Sequence, residues 1–387
     1  MARINLLYVI TKLELGGAQK QLLDLISSLD KTRYNVFLIT AKEGILIPDA
    51  QAIPELTLEL NACLERPINP IKDILALIKI GLFIKRNDIR IVHTHSSKAG
   101  ILGRWAAVFG RCTLLHTVHG WSFNDHQSAI IRGLFIFLER ITAVFTHKII
   151  VVCESDRKKG LRHNIGSIDK YALVHYGIDL SSFELRGKYS REEFGFKKDD
   201  LVVGTVCCLK PQKCPRDFIM FARTVSRGYP HAKFLLIGDG VLRRRMERLI
   251  TAYKLENNVT LLGWRRDIAE ILQIMDIFVL TSLWEGLPIT VLEAMAASLP
   301  VVVTDTGGVE EIVKQGTNGF LVKPHDMEEM SRIVISLAGD PASRMRLGNS
   351  AHELIKRNDF GVDAMCLKTE NLYRVLISRK DNKGLYN

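Results

Sequence analysis

The pattern that most constrains this chain is a repeated alternation. Short β-branched runs at residues 4–9, 34–40, 89–95, 114–118 and 148–152 are separated, in most cases, by longer amphipathic segments. Strands joined by helix-length crossovers pair in parallel, so these runs belong to one sheet with helices on its faces. A polar, charge-mixed stretch at 181–200 interrupts the alternation. It then restarts with runs at 201–206, 234–237, 259–262, 277–280 and 301–304. The chain therefore reads as two α/β domains, 1–182 and 183–361, and at 387 residues a single core usually splits. Segment 362–378 carries a helical apolar face (Met365, Leu367, Leu372, Tyr373, Leu376) that needs a domain to pack on; the first domain is the expected one. A charged tail, 379–387, follows it. Ligands of such sheets bind at the carboxyl ends of the strands, so two facing sheets imply a cleft between them.

Several function classes recede on composition. Lys79 and the pair Glu139-Arg140 break the two most apolar stretches before either reaches the roughly 18–20 residues of a membrane span. Residues 1–10 read as a first strand rather than a secretion signal, because no small-residue cleavage site follows them. The seven cysteines show no metal-ligand spacing and read as thiols of a cytoplasmic protein. The net charge of +11 is concentrated in residues 1–190, which hold 25 Lys/Arg against 17 Asp/Glu. That excess suits an anionic partner. Scattered basic residues without interleaved stacking aromatics argue against nucleic acid. An anionic membrane face fits better, with the amphipathic stretch 130–145 as a possible peripheral anchor and a core helix as its plainer reading.

The most informative segment is Ser282-Leu-Trp-Glu-Gly-Leu-Pro-Ile-Thr-Val-Leu-Glu-Ala-Met295. It follows an apolar strand and supplies a loop, a proline at the expected first helical position (Pro288) and a helix. The amides around Gly286, Leu287 and Ile289 would aim a positive dipole end at a ligand above the strand, for which a diphosphate is suited. Glu285 and Glu293 stand eight residues apart, too far along a helix for a hydrolytic carboxylate pair. They suit instead the two ends of a nucleotide sugar.

Glu285-x7-Glu293 with Glu-Gly-Leu-Pro and Glu-Ala-Met resembles the signature of glycosyltransferase family 4, in particular its bacterial surface-polysaccharide members. The resemblance implies the GT-B fold, an α/β architecture of two facing Rossmann-like domains. It also implies retaining transfer of a hexosyl or N-acetylhexosaminyl group from a nucleotide diphosphate sugar, UDP-linked by expectation, with neither cofactor nor catalytic metal. Glu293 would hold the donor ribose, and Glu285 the transferred sugar. Gly16-Gly17-Ala18-Gln19 resembles the family's first strand-to-helix turn, His119-Gly120 its sugar-side histidine, and Gly238-Asp239-Gly240 and Arg265 its donor-side loops. His95 and Lys98, within His93-Thr-His95-Ser-Ser-Lys98-Ala-Gly100, are acceptor candidates for a glycan or lipid-linked intermediate. Leu209-Lys210-Pro211-Gln212-Lys213 resembles the family's phosphate clamp, but Cys208 stands where the pattern has arginine and Cys214 where it usually has glycine. Lys213 keeps its catalytic role in this reading, and either Lys210 compensates for Cys208 or the donor site is arranged differently. Arg243–Arg245 reads as a solvated helix face, and Thr306-Gly307-Gly308 as turn architecture.

Other classes remain open at this point: a nucleotide-sugar epimerase or sugar phosphorylase of the same architecture, or a donor-binding protein whose catalysis is weakened at Cys208. Donor turnover separates them.

Overall fold

The computed structural model describes residues 3–108, 110, 112–184, 187–358 and 360–384, the last six for the backbone alone. The chain divides into two compact units, residues 1–177 with 362–387, and residues 178–361.

In the first unit β1 (Ile4–Val9), β2 (Tyr34–Thr40), β3 (Leu56–Leu60), β4 (Ile91–His95), β5 (Thr113–Val118), β6 (Lys148–Val151) and β7 (Tyr171–Leu173) form a parallel sheet in the order β3-β2-β1-β4-β5-β6-β7. Its crossovers carry α1 (Gly17–Ser28), α2 (Ile47–Gln51), α3 (Pro70–Arg86), α4 (Ser97–Ala107), α5 (Ala129–Phe145) and α6 (Glu154–Arg162). The central strands are buried along their whole length, as a sheet covered on both faces requires. β3 escapes a search for apolar runs because, as an edge strand, it alternates half-buried residues with exposed Thr57 and Glu59.

In the second unit β8 (Leu201–Val206), β9 (Ala232–Ile237), β10 (Val259–Gly263), β11 (Ile277–Leu280), β12 (Val301–Thr304) and β13 (Gly319–Val322) take the order β10-β9-β8-β11-β12-β13. Its helices are α7 (Pro215–Gly228), α8 (Arg243–Ala252), α9 (Ile268–Leu272), α10 (Ile289–Ala296), α11 (Val309–Ile312), α12 (Met327–Ala338) and α13 (Pro341–Arg357). Both sheets reverse direction once, between β1 and β4 and between β8 and β11. In parallel sheets the loops at such a reversal diverge and leave room for a ligand.

The chain crosses between the units twice. Gln21, 3% exposed, grips the last residue of the first segment with both ends of its amide: Nε2 donates to Gly177 O (2.6 Å), and Gly177 N donates to Oε1 (2.9 Å). α14 (Val362–Gly384) then closes the first unit against α1, with Met365, Cys366 and Tyr373 in the same apolar cluster as Leu22, Leu25 and Tyr34. The helix continues past residue 378 into the expected tail, whose last three residues lie outside the described ones, as do 185 and 186 of the polar stretch. Leu367, expected on the apolar face, is 58% exposed; Cys366 and Thr369 occupy that face instead.

Glu139 does more than interrupt an apolar run. It meets Arg104 of α4 at 2.8 Å with both side chains almost wholly buried, and Arg104 also donates to Gly100 O (2.8 Å). Removing one member of such a pair leaves the other charged and desolvated. Glu139→Ala is therefore expected to lower stability by about 3–5 kcal/mol, read as a shift of the urea unfolding midpoint.

Candidate active site

Two loops of the second unit meet at its strand-order reversal. The first follows β8, running from Cys207 to Cys214; the second follows β11, from Thr281 to Pro288. They are laced together by Leu283 N donating to Gln212 O (2.8 Å), Gln212 Nε2 to Trp284 O (2.8 Å), and Thr281 Oγ1 to the carbonyls of Lys213 and Cys214 (3.2 Å each). At their meeting point the Lys213 ammonium donates to the Glu285 carboxylate, with side chains only 16% and 7% exposed. The sequence named both residues but gave them separate partners, Lys213 a phosphate and Glu285 a sugar. At a sequence separation of 72, no local spacing announces the pair.

A third loop fixes Glu285 from behind. Gly307 adopts φ +62°, and a Cβ there would lie 2.0 Å from the Glu285 carbonyl oxygen, so only glycine fits. Gly308 N also donates to Gly286 O at 2.7 Å. Residues read as plain turn architecture thus position the glutamate. α10 begins at Ile289, and Pro288 is its N-cap with an extended backbone rather than its first helical residue. Leu287, Ile289 and Glu293 are 3%, 6% and 4% exposed, so α10 is nearly all core with its start opening beside Glu285.

The clamp loop rests on Gly238-Asp239-Gly240. A Cβ at Gly238 (φ +127°) would lie 2.0 Å from Cys207 O, and Asp239 O accepts from Leu209 N at 2.8 Å. Burial pushes the Cys207 thiol up to about 12, which leaves it protonated. Lys210, half-buried, caps the short turn 211–213 that ends in Lys213. Arg265 differs from expectation. Its guanidinium binds Asp267 through two contacts (2.9 and 2.5 Å) and Tyr189 OH at 3.3 Å, so its fork is already engaged. Arg265 in turn pulls the Asp267 carboxyl down to about 2. In the Arg243–Arg245 run, Arg244 and Arg245 are exposed but Arg243 bridges Asp239 (3.0 Å) and Glu247 (2.8 Å).

In the first unit the reversal brings the turn after β1 against the start of α4. Gly16 is the N-cap of α1, which begins at Gly17. Thr11 Oγ1 and Ser96 Oγ lie 2.8 Å apart, and Ser96 holds φ +62°, a strained value for serine. Beside them runs a chain of imidazoles and phenols. Tyr176 OH lies 2.7 Å from His119 Nδ1, and His119 Nε2 lies 2.8 Å from His95 Nδ1. His93 bonds to Thr117 (2.7 Å) and to Tyr373 of α14 (2.6 Å), whose hydroxyl also meets Tyr8 at 2.8 Å. Gly100 makes room for this layer, since a Cβ there would strike the His116 ring at 2.5 Å. Of His93, His95, His116 and His119, only His119 keeps an accessible edge. Burial lowers His93 and His119 to about 3 and His95 well below its ordinary value, so at neutral pH these imidazoles are uncharged.

Both acceptor candidates already have partners within the first unit. His95 is 2% exposed and sits behind His119, holding its ring. Lys98 is already paired with Asp73 at 2.5 Å and donates to Pro67 O.

The comparisons with known proteins agree with this geometry. Residues 15–182 match the family model for "Glycosyltransferase Family 4", and residues 188–354 that for "Glycosyl transferases group 1". The chain thus joins a glycosyltransferase family 4 domain to a glycosyl transferases group 1 domain. It is 29% identical over 386 residues, 98% of this chain and 99% of the relative, to the Escherichia coli UDP-Gal:alpha-D-GlcNAc-diphosphoundecaprenol alpha-1,3-galactosyltransferase. It is 28% identical, over 82% of this chain and 86% of the relative, to the Escherichia coli O-antigen biosynthesis glycosyltransferase WbnH. Among solved structures, Anabaena HepE in complex with UDP and glucose superposes with a TM-score of 0.83 at 21% identity, covering 96% of this chain and all of that one. Sucrose-phosphate synthase from Thermosynechococcus elongatus gives 0.84 at 21% identity, with 97% and 100% covered. These neighbours have the GT-B fold, and the protein is a glycosyltransferase acting on nucleotide sugars.

The buried histidines also set an acid limit on the family-4 domain. In the folded protein His93 and His119 take up protons near pH 3, whereas in the unfolded chain they do so near 6.5. Stability from this source is complete above pH 6.5 and is lost as pH falls toward 3, at about 1.4 kcal/mol per pH unit for each histidine. Urea unfolding at pH 7, 6, 5 and 4 is expected to show that fall, and His93→Asn to flatten it.

Proposed function

We propose that this protein is a retaining transferase that moves a hexosyl or N-acetylhexosaminyl group from a UDP-sugar to a lipid-diphosphate-linked saccharide at an anionic membrane face. The observation that carries the reading is the Lys213–Glu285 pair at the mouth of α10. A donor diphosphate entering there offers Lys213 a denser negative charge than Glu285 does. The ammonium exchanges partners, and Glu285 is freed for the hydroxyls of the transferred sugar. Lys213 and the amide end of α10 then stabilise the charge that grows on the diphosphate as the bond from the sugar's anomeric carbon to the phosphate oxygen breaks. The acceptor oxygen forms its bond on the same face, and its proton passes to the departing phosphate oxygen, so configuration is retained without a protein base.

Glu293 is assigned the ribose hydroxyls, and the amides from Gly286 to Ile289 the diphosphate. Neutral His119, whose two ring nitrogens are engaged by His95 and Tyr176, is assigned a place beside the transferred sugar. Cys208 supplies no cation, so the clamp relies on Lys213, with Lys210 close by in sequence. The donor and acceptor in the name of the Escherichia coli galactosyltransferase, a UDP-hexose and a diphosphoundecaprenol-linked sugar, support the substrate classes. For the membrane face the support is α5, where Ile130, Phe137 and Val144 are 85%, 57% and 76% exposed, together with Ile71 and Leu82 of α3 at 74% and 63%. Among the described residues no helix is long and apolar enough to cross a membrane.

Release of nucleoside diphosphate across a panel of nucleotide sugars, with the product's anomeric configuration read by NMR, tests the assignment; an inverted product contradicts it. Lys213→Ala is expected to lower kcat about 10²–10³-fold. Glu293→Ala should weaken donor binding roughly tenfold or more, whereas Glu285→Gln should lower kcat more than donor affinity. Equal losses of donor affinity in the two glutamate variants would reject the division of roles. In flotation with anionic vesicles at low salt the protein is expected to rise with the lipid, and Ile130→Asn with Phe137→Asn to stay behind. Wild type remaining in the soluble fraction would remove the membrane from the reading.

A further inference from the structure

The second unit brings three chemically different metal ligands together beside the clamp. Cys214 ends the turn that carries Lys213 and caps α7; Asp217 lies in the first turn of α7; His325 follows β13, 108 residues away from Asp217. The Cys214 sulfur, an Asp217 carboxylate oxygen and a His325 ring nitrogen all lie within 4.8 Å of one another. His325 Nδ1 is 2.7 Å from Asp217 Oδ2, and the Asp217 side chain is 5% exposed while that of His325 is 62% exposed. A carboxylate buried to that degree needs partners close by, and Cys214 and His325 are the side chains that supply them. The backbone adds a second observation. Cys214 (φ +44°) and His325 (φ +69°) both sit in the left-handed region that side chains avoid, and they face each other across the same carboxylate.

We propose that Cys214, Asp217 and His325 form a binding site for a divalent cation of the zinc class. A thiolate, an imidazole and a carboxylate select a borderline transition ion over magnesium or calcium, which require oxygen ligands. Three protein ligands leave a fourth tetrahedral position. Asp217 and His325 line a groove together with Arg216, Met220, Lys323 and Glu328. Binding replaces the Cys214 thiol proton, which leaves to solvent, and turns the His325–Asp217 contact into two metal bonds. The carbonyl of Cys214 accepts from Thr281, so an ion held at its sulfur stiffens the loop that presents Lys213. The site does not depend on the transferase reading, since it is defined by ligands outside the donor contacts.

The test uses the full-length protein, stripped with a chelator and titrated with Co²⁺ without substrate. The expected result is one equivalent of Co²⁺ bound per chain, with the d–d and thiolate-to-metal charge-transfer bands of a tetrahedral site, bleached by an equivalent of Zn²⁺. Zn²⁺ should also raise the wild-type Tm. Cys214→Gly and His325→Gly place glycine where the backbone favours it, so both are expected to fold. Each should weaken Zn²⁺ binding by at least about tenfold and abolish the Tm shift. Absence of the charge-transfer band from wild type, its persistence in Cys214→Gly, or Zn²⁺ binding unchanged in His325→Gly would each overturn the proposal.

Discussion

A parallel sheet covered on both faces offers chemistry only the ends of its strands, and the connectivity decides which of those ends is open. Where the strand order reverses, the crossovers leave in opposite directions and uncover a gap above two neighbouring strands. Both units obey this constraint. In the second it sets the loop after β8 against the loop after β11, which brings Lys213 to Glu285. In the first it sets the turn after β1 against the start of α4, where Thr11 meets Ser96. The glycines serve the same geometry. Gly307 lets a third loop back directly onto the Glu285 carbonyl, and Gly238 lets the clamp loop lie flat on the strand end.

The first unit pays for polar side chains in its central strands by pairing nearly all of them. His93, Thr94, His95, His116 and Thr117 occupy positions that a sheet buried on both faces would ordinarily fill with valine or isoleucine. His93 finds Thr117 and Tyr373, Thr94 and His116 find each other at 2.9 Å, and His95 finds His119. Tyr373 belongs to α14, so a helix from the far end of the chain supplies a hydrogen bond to a central strand. Through His93 and its ring contact with His95 at 4.4 Å, that helix is linked to the layer holding His119. The return of the chain to its first unit thus completes a polar layer as well as an apolar face.

Most of the architecture was legible because periodicity reports burial. Five strands of each sheet stand out as β-branched runs, while β3, β7 and β13 do not: β3 because its residues alternate toward solvent, β7 because it has only three residues, and β13 because it is a four-residue strand opening on Gly319. The stretch around Glu285 and Glu293 was legible because strand, loop, proline and helix follow one another without a break. What sequence reasoning missed was pairing across the fold. Lys213 with Glu285, Lys98 with Asp73, Arg265 with Tyr189, and Cys214 with His325 are set by topology, and none has a local spacing to betray it. The neighbours of His95 and Lys98, His119 and Asp73, were out of reach of sequence reasoning for the same reason.

In the proposed function the buried Lys213–Glu285 pair also holds together the two loops assigned to the diphosphate. An ammonium and a carboxylate held apart at this depth would each bear a desolvation cost that the surrounding dipoles do not remove, and the loops carrying them would have reason to splay. Paired, they neutralise each other and hold the two loops in register, helped by the backbone ties at Gln212, Thr281 and Leu283. A pair of this kind is readily exchanged, since a dianionic phosphate competes for the lysine while sugar hydroxyls compete for the glutamate. Both new partners arrive on one molecule, so neither charge is left alone during the exchange. On that proposal, the interaction that ties the two loops together is also the one that a nucleotide sugar replaces.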